Sequence, residues 1–150
     1  MRKYTLLTVL LVVIDQVVKQ MIKLNFIPIS YIKNTGGAFS IGFGNVSIFI
    51  VISIILIIAV ILIKRFVYKD ETIAFSLILA GGIGNLLDRT IRGYVIDYID
   101  LTKIINFPVF NLADILIVLG AIILLILILK RKEEWKNIEL KVKMVDWIKQ

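Results

Sequence analysis

Neither cysteine nor histidine occurs anywhere in the 150 residues. That double absence excludes disulfide staples, thiolate nucleophiles, histidine-based triads and the usual His/Cys zinc sites. Any chemistry must come from carboxylates, hydroxyls, amides, lysine or arginine, and no metal or cofactor is expected.

What is present is hydrocarbon. Apolar residues make up 59% of the chain and the mean hydropathy is +0.95, too high for the surface of a soluble domain of this size. The sequence reads as a single α-helical integral-membrane domain over residues 1–150. Its net charge of +7 is then a topology signal rather than a nucleic-acid footprint, and no nucleic-acid partner is expected. Four segments have about the 20 residues that a bilayer crossing takes: 4–24, 46–63, 73–90 and 110–129. The first has Arg2, Lys3 and an apolar run, as a signal peptide would. It continues through Asp15, Gln16, Lys19 and Gln20 with no small-residue cleavage site, so a retained helix is expected.

Arg2, Lys3, Lys64, Arg65, Lys69 and the seven basic residues from Lys130 to Lys149 fall on one side of these spans, twelve of the 18 in all. The positive-inside rule puts that side, with both termini, in the cytoplasm, and segments 25–45 and 91–109 outside. The first outer segment, "NFIPISYIKNTGGAFSIGFGN", mixes alternating apolar residues with Gly36, Gly37, Gly42 and Gly44. It predicts short strands and tight turns on the membrane surface, with a backbone that another chain could approach closely. The basic cytoplasmic tail, 130–150, sets Trp135, Ile138, Val142 and Val145 at helical spacing among lysines. A helix along the anionic inner leaflet and a solvated tail are both open readings.

The polar residues inside the spans carry the functional signal. Asp15 with Lys19, and Asn85 with Arg89, are four apart on helical faces, and Asp88 lies beside the second pair. Asp97 follows in the second outer segment, and Asn111 and Asp114 open the fourth span. All but Asp15 fall toward the outer side, which points to one polar site at that boundary.

Simpler roles exist for each: a structural ion pair for Asp15 and Lys19, a snorkelling cation for Arg89, a solvated acid for Asp97, a helix cap for Asn111, and favourable helix-dipole placement for Asp114. Asp114 is the hardest to reduce to its simple role, because an ionised acid costs roughly 2.5–3.5 kcal/mol at the centre of a membrane helix. If Asp97 and Asp114 converge, repulsion and desolvation would leave one proton between them near neutrality. That is the aspartic-protease arrangement, in which one carboxylate deprotonates water and the other, protonated, donates to the scissile carbonyl.

Five stretches match a known family in order: "DQVVK" in the first span, "NTGGAF" in the first outer segment, "GGIGNLLDR" ending the third span, "GYVIDY" in the second outer segment and "FNLAD" opening the fourth. Over about residues 4–130 the chain resembles the lipoprotein signal peptidases, also called signal peptidase II. The resemblance implies a bacterial cytoplasmic (inner) membrane aspartyl endopeptidase with four transmembrane helices and a small extracytoplasmic β-cradle. It further implies removal of signal peptides from diacylglyceryl-modified prolipoproteins, with the cut just before the lipidated cysteine, by a monomer in membrane lipid that needs no cofactor.

On the motif positions the resemblance makes Asp97 and Asp114 the catalytic pair. Substrate-binding or supporting positions fall on Asp15, Lys19, Asn34, Gly37, Asn85, Arg89, Asn111 and Ala113. A buried acid suits such a substrate, whose acyl chains are held in lipid by about 0.8 kcal/mol per methylene.

Other classes make different demands. A proton-coupled transporter would place its acids near the midplane between repeats, and the chain shows neither. A purely structural membrane protein has no need of two acids, an arginine and two asparagines near one boundary. A serine/lysine peptidase would pair Lys19 with Ser30, Ser40, Ser47, Ser53 or Ser76, none of which sits in a nucleophile motif.

Overall fold

The computed structural model describes residues 2–36, 50, 51, 53–58 and 71–148. The order is α1 (Arg2–Lys23), β1 (Ile32–Asn34), the helical residues 50, 51 and 53–58 (α2), α3 (Thr72–Arg92), β2 (Val95–Asp97) and α4 (Leu112–Ile148).

Helix α3 is central and packs against both α4 and α1. Small residues let the backbones meet. A Cβ on Gly81 would lie 2.2 Å from the Ala113 carbonyl oxygen, one on Gly84 2.7 Å from Asp15 Oδ2, and one on Gly120 2.7 Å from the Ala74 carbonyl oxygen. Membrane helices associate this way because lipid gives no hydrophobic drive to bring them together. α2 lies beside the same helix, with Ile57 Cγ1 3.5 Å from where a Gly82 Cβ would be. The outward faces of α1 and α4 expose Val9, Val13, Val17, Val118, Ile122 and Leu125.

Among the described residues, Tyr4–Lys23 and Leu112–Lys141 are long and apolar enough to cross a membrane. The third expected span is a helix too, but it differs in composition: α3 carries Ser76, Asn85 and Asp88, all buried within the protein. Of the second expected span, 46–63, only the α2 residues are described. Gly37, Gly42 and Gly44 lie outside the described residues.

Gly93, at φ 77°, ends α3 and donates its N–H to the Arg89 carbonyl oxygen. This left-handed cap, which costs glycine little, turns the chain at once into β2. The strand pairs antiparallel with β1 in the register Ile32↔Asp97, Lys33↔Ile96, Asn34↔Val95. Asp97 is therefore a buried strand residue and not a solvated loop acid. The chain then bulges outward and returns, with Ile99 and Phe110 exchanging backbone hydrogen bonds of 2.8 and 3.1 Å just before α4. α4 does not stop at residue 129. The basic tail continues it to Ile148, and Arg131 pairs with Glu71 beside the start of α3.

Candidate active site

Two acids and three amides form one connected chain of hydrogen bonds where α3, the β1–β2 pair and α4 meet. Asn111 Oδ1 accepts the Asp114 N–H at 3.1 Å, and Asp114 Oδ2 accepts the Asn111 N–H at 3.1 Å. This reciprocal pairing is a capping box that starts α4. It also fixes which way the Asn111 amide points, so its NH2 donates to Asp97 Oδ1 at 2.6 Å and to Asn85 Oδ1 at 3.2 Å. The Asn85 NH2 in turn donates to Asp114 Oδ1 at 2.8 Å. The capping role read for Asn111 is thus real, and the same side chain links the two acids.

Asp97 is buried and receives a second donor, the Asn34 NH2, at 2.8 Å on Oδ2. Asn34 is oriented by the Gly36 N–H, which donates to its Oδ1 at 2.9 Å. Burial holds the Asp97 carboxyl above the usual carboxylate range. The Asn34 and Asn111 hydrogen bonds oppose that rise, and the field of Asp114 adds to it. Asp114 is only half-buried, so one acid is enclosed and the other keeps an open side.

Beneath this chain lies a buried ionic cluster. Lys19 is fully buried and places its ammonium 2.9 Å from Asp15 Oδ2, 2.9 Å from Asp88 Oδ2 and 3.1 Å from Asn85 Oδ1. Its three protons are all committed. A lysine held this way cannot be a general base for serine, and the Ser76 hydroxyl donates to its own helix at Thr72 O, 2.8 Å away. Asp15 is not an isolated deep acid, because its Oδ1 accepts the Ala113 N–H at 3.1 Å, next to Asp114. Arg89 is half-buried and turned inward, donating to the Gly36 and Asn85 carbonyl oxygens at 3.3 and 3.4 Å. This is not the pose of a snorkelling cation.

Every expected site residue among those described, Asp15, Lys19, Asn34, Asn85, Arg89, Asp97, Asn111, Ala113 and Asp114, enters this one assembly. Three further members, Asp88, Gln16 and Arg92, are not among the expected site residues, although the sequence sets Asp88 beside Asn85 and Arg89. Asp88 binds Lys19 and Arg92 and accepts the Ile96 N–H of β2 at 3.3 Å. Gln16 donates to Asp88 Oδ1 at 3.2 Å and accepts from Arg92 at 2.8 Å. The spacing of Asn85, Asp88, Arg89 and Arg92, three or four apart along one helical face, was the available signal.

Apolar helices meeting on small residues around two acids, with amides as their contacts, define a membrane protein whose site is carboxylate-based. The profile of the family described as signal peptidase (SPase) II matches residues 7–130, and the chain belongs to that family. It is therefore a peptidase. Curated relatives named lipoprotein signal peptidase include one from Caldicellulosiruptor bescii, 42% identical over 112 residues, covering 72% of this chain and 71% of the relative. Another, from Enterococcus faecalis, is 36% identical over 152 residues, covering 89% and 94%. A bacterial membrane enzyme solved by the in meso method at 2.3 Å superposes with a TM-score of 0.78 at 32% identity, covering 89% of this chain and 92% of that one.

Proposed function

We propose that the protein cleaves signal peptides from prolipoproteins during lipoprotein maturation, using Asp97 and Asp114 as its catalytic pair. The observation that carries this reading is Asn111, whose backbone N–H donates to Asp114 and whose NH2 donates to Asp97, so that one residue contacts both carboxylates. Asp114, with its open side, takes a proton from the attacking water. Asp97, enclosed and with its carboxyl raised by burial, holds the proton that is donated to the scissile carbonyl. The tetrahedral intermediate collapses as a proton passes to the leaving amine. Asn34, Asn85 and Asn111 position the acids by hydrogen bonds that add no charge.

The substrate we assign is a precursor whose cysteine carries a diacylglyceryl group, cut just before that cysteine. Both termini lie in the cytoplasm, the acids face the extracytoplasmic side of the bacterial inner membrane, and one copy suffices. Support comes from the basic residues clustered opposite the acids and from the site's position at the end of apolar helices. The purified protein should release the signal peptide from a diacylglyceryl-modified precursor far faster than from the matched unmodified one in the same bilayer. Asp97→Asn and Asp114→Asn should each lower turnover by at least about 10²-fold, the usual scale of general acid/base catalysis. Near-normal turnover by either variant would sink the catalytic pair, and equal rates for the two precursors would sink the lipid requirement.

A further inference from the structure

The ion pair between Glu71 and Arg131 ties α3 to α4 at the end of the molecule away from the acids, and it serves as a ruler. From Glu71 to Ile91 along α3 is about 20 residues, or roughly 30 Å, and from Arg131 back to Leu112 along α4 is roughly 28 Å. A hydrocarbon core is about 30 Å thick. With the ion pair at its inner edge, the outer edge meets α3 near Ile91 and α4 near Leu112. Asp114 then lies only about 3 Å inside that edge.

The segment between Ile99 and Phe110 joins α4 at this same level. Its tip is apolar and uncovered: Ile104 is 81% exposed, and Ile105 and Phe107 are exposed beside it. The backbone of the tip is turned in on itself, with the Ile104 and Ile105 N–H groups donating to the Leu101 carbonyl oxygen at 2.9 Å each and Phe107 N–H to Ile105 O at 2.9 Å. The Phe107 ring meets Phe110 edge-on, with centroids 5.6 Å apart, which ties the tip to the base of α4. Ile91 at the end of α3, and Leu24 and Phe26 just past α1, are exposed apolar residues at the same ends of their helices.

We propose that segment 101–107 is a lipid anchor, seated in the interface of the leaflet nearest the acids. Ile104, Ile105 and Phe107 enter the boundary between headgroups and acyl chains, and Lys103 stays at the phosphates. Because the anchor lies between Asp97 and Asp114 in sequence and is closed at its base by Ile99 and Phe110, it fixes the depth of both acids. Only the name of the leaflet rests on the topology proposed above.

The chain has no cysteine, so a single nitroxide can be attached at Ile104→Cys or Phe107→Cys without background. Reference labels go at Val118→Cys on the exposed face of α4 and Glu134→Cys beyond the ion pair. Each protein is reconstituted in vesicles of phosphatidylcholine and phosphatidylglycerol. Collision rates with oxygen, which concentrates in lipid, and with a water-soluble nickel chelate are then compared. At residues 104 and 107 the oxygen-to-nickel ratio should be several-fold above that at 134 and shifted toward that at 118. Ratios like that of residue 134 overturn the anchor. Nickel access that is lost only when precursor is added also overturns it, and makes the tip a substrate contact instead. No turnover is read, so failure of the peptidase assay and failure of the anchor are separate results.

Discussion

Lys19→Met removes a fully buried cation and leaves its partners in place. The two acids are not left equally exposed to the loss. Asp88 keeps Arg92, the Gln16 amide and the Ile96 N–H. Asp15 keeps the Ala113 N–H and an amide hydrogen bond from Gln16, and among the described residues no second cation pairs with it. Breaking a buried ion pair by deleting one partner typically costs about 3–5 kcal/mol, because a charge stays buried without compensation. At about 2–4 °C per kcal/mol for a chain this long, the melting point should fall by roughly 6–20 °C.

The double variant Lys19→Met, Asp15→Asn removes the stranded charge as well, and should recover most of that loss. Thermal unfolding of the purified proteins in one lipid or detergent reads both effects. A single variant that melts with the wild type, or a double variant that melts lower than the single one, would refute the ionic role. Activity should separate from stability. In the double variant Asn85 Oδ1 has lost the lysine donor and keeps the one from Asn111, so its grip on Asp114 is loosened and turnover should stay below wild type.

In the proposed catalytic pair the two acids act as one unit, so Asp97→Asn with Asp114→Asn should turn over barely slower than either alone; multiplicative losses in steady-state cleavage would show independent roles. Gly81→Val should destabilise by at least the about 1–3 kcal/mol of an overpacked core, since its Cβ would fall 2.2 Å from a backbone oxygen of α4; unchanged melting would show that the helices part easily. Burial raises the Asp97 carboxyl above its ordinary 3.8. The stability it contributes is therefore complete below that pH and is lost as pH rises through its folded pKa. Wild type should lose melting temperature relative to Asp97→Asn over that rise, and a difference that does not change with pH would contradict the assignment.

The helical pairs were legible from sequence because their spacing is local. Asp15 with Lys19, and Asn85 with Arg89, are brought together by the helix period alone, and each contact is found, the second between the Arg89 guanidinium and the Asn85 carbonyl oxygen. Contacts across the fold carry no such signal. Nothing local says that Lys19 will meet Asp88, or that Asn34 will meet Asp97. β1 and β2 are three residues each, too short for alternation to register, so a solvated loop acid stayed open as the simpler role for Asp97 beside its expected place in the catalytic pair. The extent of α4 was missed for another reason: hydropathy falls at Lys130, but lysine and glutamate are good helix formers, and the backbone continues where the lipid signal ends.

The charges gathered at the site offer a reason for holding its acids with amides. Asp15 and Asp88 are matched by Lys19 and Arg92, which touch one or both of them. Arg89 is the further cation, whose field reaches Asp114, Asp97 and Asp88 together, while the field of Lys19 also extends to Asp97. One positive charge against two ionised carboxylates leaves a net negative charge in a poorly solvated space, where each uncompensated ion costs several kcal/mol. A single proton shared by Asp97 and Asp114 brings the assembly to neutrality, so the composition of the cluster favours the protonation state that the proposed mechanism needs. A lysine or arginine in direct contact with either acid would favour full ionisation and remove the proton donor. Asn34, Asn85 and Asn111 avoid this, because an amide can fix a carboxyl in place without adding to its charge balance.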